Sequence, residues 1–197
     1  LLEATPPYAP GATLADLVED GTLHRDFVAL SSVALPMDRP LYRHQEAAIR
    51  KVVAGRNLVV STGTGSGKTE SFLLPILNSL IEERANGTLG PGVRALLLYP
   101  MNALANDQLK RLRSLLSTTP DITFGRYTGE TQPSTRDAIS NFRSSNPGEE
   151  PLPNEMLSRE QMRDSPPHIL LTNYAMLEYL LLRPADLELF DGDYSGT

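Results

Sequence analysis

Lys68 and Thr69 close the run Ser61-Thr62-Gly63-Thr64-Gly65-Ser66-Gly67-Lys68-Thr69-Glu70, which stands directly behind the apolar Leu58-Val59-Val60. Gly63, Gly65 and Gly67 let a backbone turn sharply and approach an anion without a Cβ in the way. A helix that starts at such a turn aims its free N–H groups, and the positive end of its dipole, at that anion. Lys68 would set a point charge against the outer phosphates of a nucleoside triphosphate, and Thr69 would offer its hydroxyl to Mg²⁺. The predicted cradle is therefore Thr62, Gly63, Thr64, Gly65, Ser66, Gly67, Lys68, Thr69 and Glu70. The competing reading is a glycine-rich strand-to-helix turn that holds nothing. The usual pattern begins with a glycine where this chain has Thr62.

Such a loop needs a strand to enter it and a helix to leave it. Asn57–Ser61 is predicted to be a short buried strand and Gly67–Arg84 a helix, with Pro75 a candidate kink. Upstream, Arg43–Ala54 reads as a helix stopped by Gly55. Downstream the pattern alternates: a strand over Val93–Tyr99, a helix from Asn102 to Leu116 capped by Asn102, a strand over Ile122–Tyr127 and a helix over Ser134–Phe142. A helix over Asn154–Arg163, a strand over His168–Thr172 and a helix over Tyr174–Leu182 complete it. Strands separated by helices predict a three-layer α/β domain with a mostly parallel sheet. Residues 1–40 are Pro-punctuated, with short amphipathic pieces at Leu14–Asp20 and Leu23–Leu30, and read as an extension packed on that domain. Ser144–Pro167 is acidic and Pro-rich and reads as a solvated surface element.

The Thr62 variant of the loop, with Thr64 to Thr69 reading T-G-S-G-K-T, resembles superfamily 2 helicases of the DEAD/DEAH-box type. Further motifs of that family follow in order. Leu41-Tyr42-Arg43-His44-Gln45 resembles its adenine-reading segment, which makes Gln45 the implied base reader with Tyr42 or Arg43 near it. Tyr99-Pro100-Met101-Asn102 and the run to Gln108 resemble its second motif, which implies nucleic-acid backbone contacts at Pro100 and Asn102. Many relatives have Thr where Met101 stands. Tyr127-Thr128-Gly129-Glu130-Thr131 resembles the next such motif, implying contacts at Thr128 and Gly129, with Arg126 and Arg136 as further candidates. Ile169 to Leu177 resembles a later one, implying a contact at Thr172 and a helix cap at Asn173. The pairing of Y-P-M-N-A-L-A-N-D-Q with L-L-T-N-Y-A-M-L-E-Y-L-L-L-R-P is similar to a bacterial group that includes mitomycin-repair and DISARM anti-phage helicases.

The resemblance implies a first RecA-like domain over residues 41–197, incomplete at its C-terminus. It implies ATP and Mg²⁺ as cofactors, nucleic acid (DNA rather than RNA) as partner, a second RecA-like domain in the same chain, and defence or repair proteins as further partners. The family's next motif is Asp-Glu at a strand end, which holds Mg²⁺ and positions water. No strand ending in Asp-Glu follows Leu182; Asp191 and Asp193 read as loop residues. These 197 residues alone are therefore expected to hydrolyse ATP negligibly. Two other classes stay open: a protein-remodelling P-loop ATPase, and a nucleotide-gated binding module without turnover.

Composition sets outer bounds. There are no cysteines, which removes disulfides, thiol nucleophiles and cysteine metal sites. The three histidines are scattered, and no apolar run approaches the roughly 20 residues of a membrane span. A cytoplasmic, non-membrane protein is expected. The first residue is Leu, so the chain reads as an excerpt from a longer one. Net charge is −6, yet residues 94–143 carry 7 basic and 4 acidic side chains. A basic middle can line a groove for a polyanion even when the total is negative; ordinary surface scatter gives the same count.

Overall fold

The computed structural model describes residues 8–32, 34–63, 65–183, 186, 189 and 190. Thr64 of the predicted cradle, and Asp191 and Asp193, lie outside these described residues. The chain divides into two compact units, Leu1–Thr88 and Leu89–Thr197.

In the first unit, strand β1 (Pro10–Thr13) pairs antiparallel with β2 (Pro40–Tyr42), which ties the Pro-rich start to the segment that leads into helix α2 (Arg43–Val53). Helix α1 (Leu14–Glu19) starts on a capping box, Thr13 and Asp16 each bonding the other's backbone N–H. A 3₁₀ turn (Arg25–Leu30) takes the place of the predicted second helical piece. Helix α3 (Lys68–Ala85) runs on through Pro75 and buries Leu73, Leu74, Leu77, Leu80 and Ile81. With Leu14, Leu17, Phe27, Leu30 and Ile49 these side chains form the unit's core. Arg50 of α2 bonds Asp20, Thr22 and Glu46 at 2.6–3.0 Å and fastens α1 to α2. Hydrogen bonds from the Thr22 hydroxyl and from Arg50 bring the Asp20 carboxyl down to about 2.

The second unit is a four-stranded, all-parallel sheet: β3 (Ala95–Tyr99), β4 (Phe124–Arg126), β5 (Glu155–Met156) and β6 (Ile169–Asn173), in the order β3-β6-β4-β5. Helices α4 (Asn102–Leu116), α5 (Thr135–Ser145) and α6 (Arg159–Asp164) make the crossovers, and α7 (Tyr174–Leu182) follows β6. Residues 169–172 of β6 are all buried, as expected of a parallel strand with a neighbour on each side.

Two further predicted elements differ. Residues 57–61 are neither strand nor helix and join no ladder among the described residues, and Val59 is 92 % exposed. Apolar content alone does not make a strand; the backbone needs a partner row of N–H and C=O groups. The second difference is β5, which lies inside the stretch predicted to be the helix Asn154–Arg163. The segment is thus more than a solvated surface element: it supplies an edge strand. Its anchor is Asn154, whose amide nitrogen donates to the carbonyls of Leu116, Thr119 and Ile122 at 2.9–3.1 Å. Helix α6 begins only at Arg159, where Ser158 and Gln161 form a capping box.

Candidate nucleotide and strand sites

The first candidate site is the loop before α3. Gly67 is the N-cap of that helix and sits at φ 70°, in the left-handed region that favours glycine. A Cβ there would strike the Gln45 amide. Gln45 itself is buried at 1 % exposure. Its Oε1 accepts from Tyr42 N at 2.8 Å and its Nε2 donates to Gly67 O at 2.8 Å, so the side chain stitches α2 to the loop. His44 does the same from the next position, with Nε2 2.8 Å from Ser66 O. Its adjacency to Gln45 was the available signal, and sequence reasoning passed it over. Thr62 and Ser66 join hydroxyl to hydroxyl at 2.6 Å. The Lys68 ammonium reaches back over the loop and donates to the carbonyls of Thr62 (2.6 Å) and Gly63 (2.7 Å). Thr69 is half-buried, and Glu70 is buried beside Arg39. Tyr8, Tyr42 and His44 cluster with ring centroids 5.2–5.7 Å apart. Glycine backbone at the turn, a lysine held at its mouth and a hydroxyl on the first helical turn suit a triphosphate and its cation.

The second candidate site lies along the carboxyl ends of β3, β6 and β4, where open parallel sheets place their ligands. Asn173, at the end of β6, donates through Nδ2 to Asn102 Oδ1 at 2.9 Å. Asn102 donates in turn to Glu130 Oε1 at 3.1 Å. Arg126 donates to Glu130 and to Asn106 of α4. One chain of hydrogen bonds therefore joins three strand ends that are distant in sequence.

The caps differ from expectation. Asn102 is the first residue of α4; the N-cap is Met101, which makes no side-chain cap bond. The amide of Asn102 is occupied by Asn173 and Glu130, so it does not turn back onto its own helix. The first turn of α4 thus presents backbone N–H groups without a side-chain acceptor. Asn173 does cap α7, accepting from Met176 N at 2.7 Å.

The threonines sit deeper than the sequence suggests. Thr172 is fully buried and its hydroxyl donates to Tyr127 O at 2.7 Å. Thr128 is fully buried, and its hydroxyl accepts from Glu130 N. Gly129 and Pro100 are exposed. Below them Tyr127 donates to Asp186 at 2.7 Å, and Arg163 bonds the same carboxylate. Burial and the Asp186 carboxylate raise the Tyr127 hydroxyl above the ordinary phenol range. The edge therefore offers backbone and amide groups on a rigid support. Among the described residues no group of three or more His, Asp or Glu side chains forms a metal cage.

Comparison with known proteins gives the family. The DEAD/DEAH box helicase family model matches residues 42–148. Druantia protein DruE of Escherichia coli (strain UMEA 4076-1) is 31 % identical, over 96 % of this chain and 15 % of its own length. The crystal structure of the DUF1998 helicase MrfA bound to DNA aligns with a TM-score of 0.60 at 30 % identity, covering 86 % of this chain and 20 % of MrfA. MrfA bound to DNA and AMPPNP aligns with a TM-score of 0.64 at 26 % identity, covering 94 % and 21 %. The chain thus spans about a fifth or less of these relatives' lengths. With the family model covering more than half of its residues, this chain belongs to the DEAD/DEAH box helicase family.

Proposed function

We propose that this chain is the ATP-holding and strand-holding part of an ATP-dependent helicase or translocase that acts on DNA. The observation that carries the reading is the hydrogen-bonded edge Asn173–Asn102–Glu130–Arg126, which sets three strand-end loops as one surface beside the uncapped start of α4. Backbone N–H groups at a helix start suit phosphates and carry no sequence preference. Asn102 and Gly129 meet the strand at this edge, with exposed Pro100 flanking them. Thr128 and Thr172 act from beneath by fixing the Tyr127–Gly129 backbone. That MrfA was crystallised with DNA favours DNA over RNA.

ATP supplies the free energy when bound with Mg²⁺. Gly63, Gly65 and Gly67 would hold its phosphates, Lys68 would turn from the carbonyls of Thr62 and Gly63 to the phosphates, and Thr69 would offer its hydroxyl to the cation. Thr62, Thr64, Ser66 and Glu70 complete the loop. Gln45 reads adenine with the hydrogen-bonding capacity left after its bonds to Tyr42 and Gly67. Residues 41–197 form the first RecA-like domain, residues 1–40 its extension, and a second RecA-like domain of the same protein closes on it. The resemblance of its motifs to mitomycin-repair and DISARM anti-phage helicases supports defence or repair proteins as partners. No helix of the described residues is long and apolar enough to cross a membrane, and a cytoplasmic site of action is proposed.

Anisotropy of a labelled DNA single strand, with the full-length protein, tests this reading. Affinity should fall steeply with salt and change when ATP or AMPPNP is added. Strand affinity indifferent to nucleotide would contradict a motor.

A further inference from the structure

A cavity of about 360 Å³ opens in the second unit between α4 and α5, with β5 as its floor. This falls within the roughly 300–1,000 Å³ of small-molecule sites. Its walls combine amides (Asn106, Asn146), the Phe142 ring and a buried charge pair. Arg113 lies over Phe142, with its guanidinium carbon 4.7 Å from the ring centroid, and its Nε is 3.0 Å from Glu155 Oε2. Glu155 is only 4 % exposed, and neither of its carboxylate oxygens has a well-aligned hydrogen-bond donor, Leu152 N–H and Arg113 being the nearest groups that favour its charge. Burial raises the carboxyl's pKa, while the Arg113 charge opposes that shift. A buried carboxylate oxygen without a donor is costly, so a donor on a ligand is the natural complement.

The position of the cavity narrows the ligand. Arg126 and Glu130 line it and also belong to the hydrogen-bonded edge proposed to hold the strand. The cavity therefore borders the edge proposed to hold the strand. Guanine presents two adjacent N–H donors, N1 and N2, to a carboxylate. Adenine and cytosine set their amine beside an acceptor nitrogen that a carboxylate repels, and thymine offers one N–H between two carbonyls.

We propose that this cavity takes one unstacked base of the bound single strand, guanine by preference, with its Watson–Crick edge on Glu155 and its ring against the Phe142–Arg113 wall. The proposal rests on the strand-binding reading above.

The test uses the full-length protein and oligothymidine strands, with and without one guanine at successive positions. Kethoxal, which adds to guanine N1 and N2, reports whether that edge is covered. Protection should appear at one register only, with strand affinity there at least about fivefold above plain oligothymidine. Glu155→Gln should remove both effects and leave oligothymidine affinity within about twofold. Asn141→Trp, at an exposed position on the cavity's mouth, should do the same without disturbing a buried group, which covers the case that Glu155→Gln fails to fold. Normal oligothymidine binding with guanine reactive at every register would overturn the base pocket and leave strand binding intact. Failure to bind any strand would overturn both.

Discussion

The phosphate loop and the sheet edge hold themselves together in opposite ways. In the loop, the side chains expected to meet the ligand are the ones doing the stitching. Lys68 donates to loop carbonyls, and Gln45 and His44 tie Gly67 and Ser66 to α2. At the sheet edge, side chains bond one another and leave the first turn of α4 without a side-chain cap. On the proposed function, a ligand at the loop would exchange one set of hydrogen bonds for another, whereas a strand at the edge would add to a surface already formed. Loop residues should couple binding to conformation, and edge residues should act mainly through rigidity.

Mutations can break or sharpen that contrast. The largest expected loss of stability is at Asn154→Ala, which strips a donor from three buried carbonyls; unfolding free energy should fall by about 3 kcal/mol in a denaturant titration. Gln45→Ala should cost less, about 2 kcal/mol, and should weaken nucleotide binding by isothermal titration more than it weakens strand binding. Equal losses in both would erase the distinction between the two regions.

His168 adds a pH dependence confined to the second unit. Its Nδ1 accepts from Thr123 N at 2.9 Å, and its Nε2 lies 3.1 Å from Gly90 O, so the fold uses the neutral ring. Burial, the main cause, lowers its pKa below the usual 6.5, with the Arg94 charge adding to this. The unfolded chain then binds the proton more readily, so this stabilisation is present above pH 6.5 and is lost as pH falls through and below it. The slope should approach about 1.4 kcal/mol per pH unit, and chemical denaturation at pH 7 and 5.5 with His168→Gln as control would show it. The smallest effect is expected from Thr172→Val, about 1 kcal/mol, with strand affinity falling through a looser Tyr127–Gly129 backbone. A large affinity loss at unchanged stability would instead place the Thr172 hydroxyl on the strand.

The parallel α/β plan was legible because most helix and strand periods alternate from Val93 to Leu182, and helix ends were legible where Gly55, Gly67 and Asn173 marked them. The turn into α3 was legible because glycines mark it, with Gly67 in the left-handed region at the helix start. Three features were not. β5 is two residues long and held from outside by Asn154, so no local pattern announces it. Residues 57–61 carry the apolar signal of a strand, but pairing is a tertiary event. The uncapped start of α4 was hidden because Asn102 has the composition of a cap, while its amide is claimed by residues 28 and 71 positions away.

The central claim is that nucleotide turnover at the Lys68 loop answers to a strand at the sheet edge. Steady-state ATP hydrolysis by the full-length protein, titrated with single-stranded DNA, tests it most directly. The account predicts saturable stimulation that Lys68→Ala reduces on the order of 10³-fold. Hydrolysis that ignores DNA, or that survives Lys68→Ala, would contradict it.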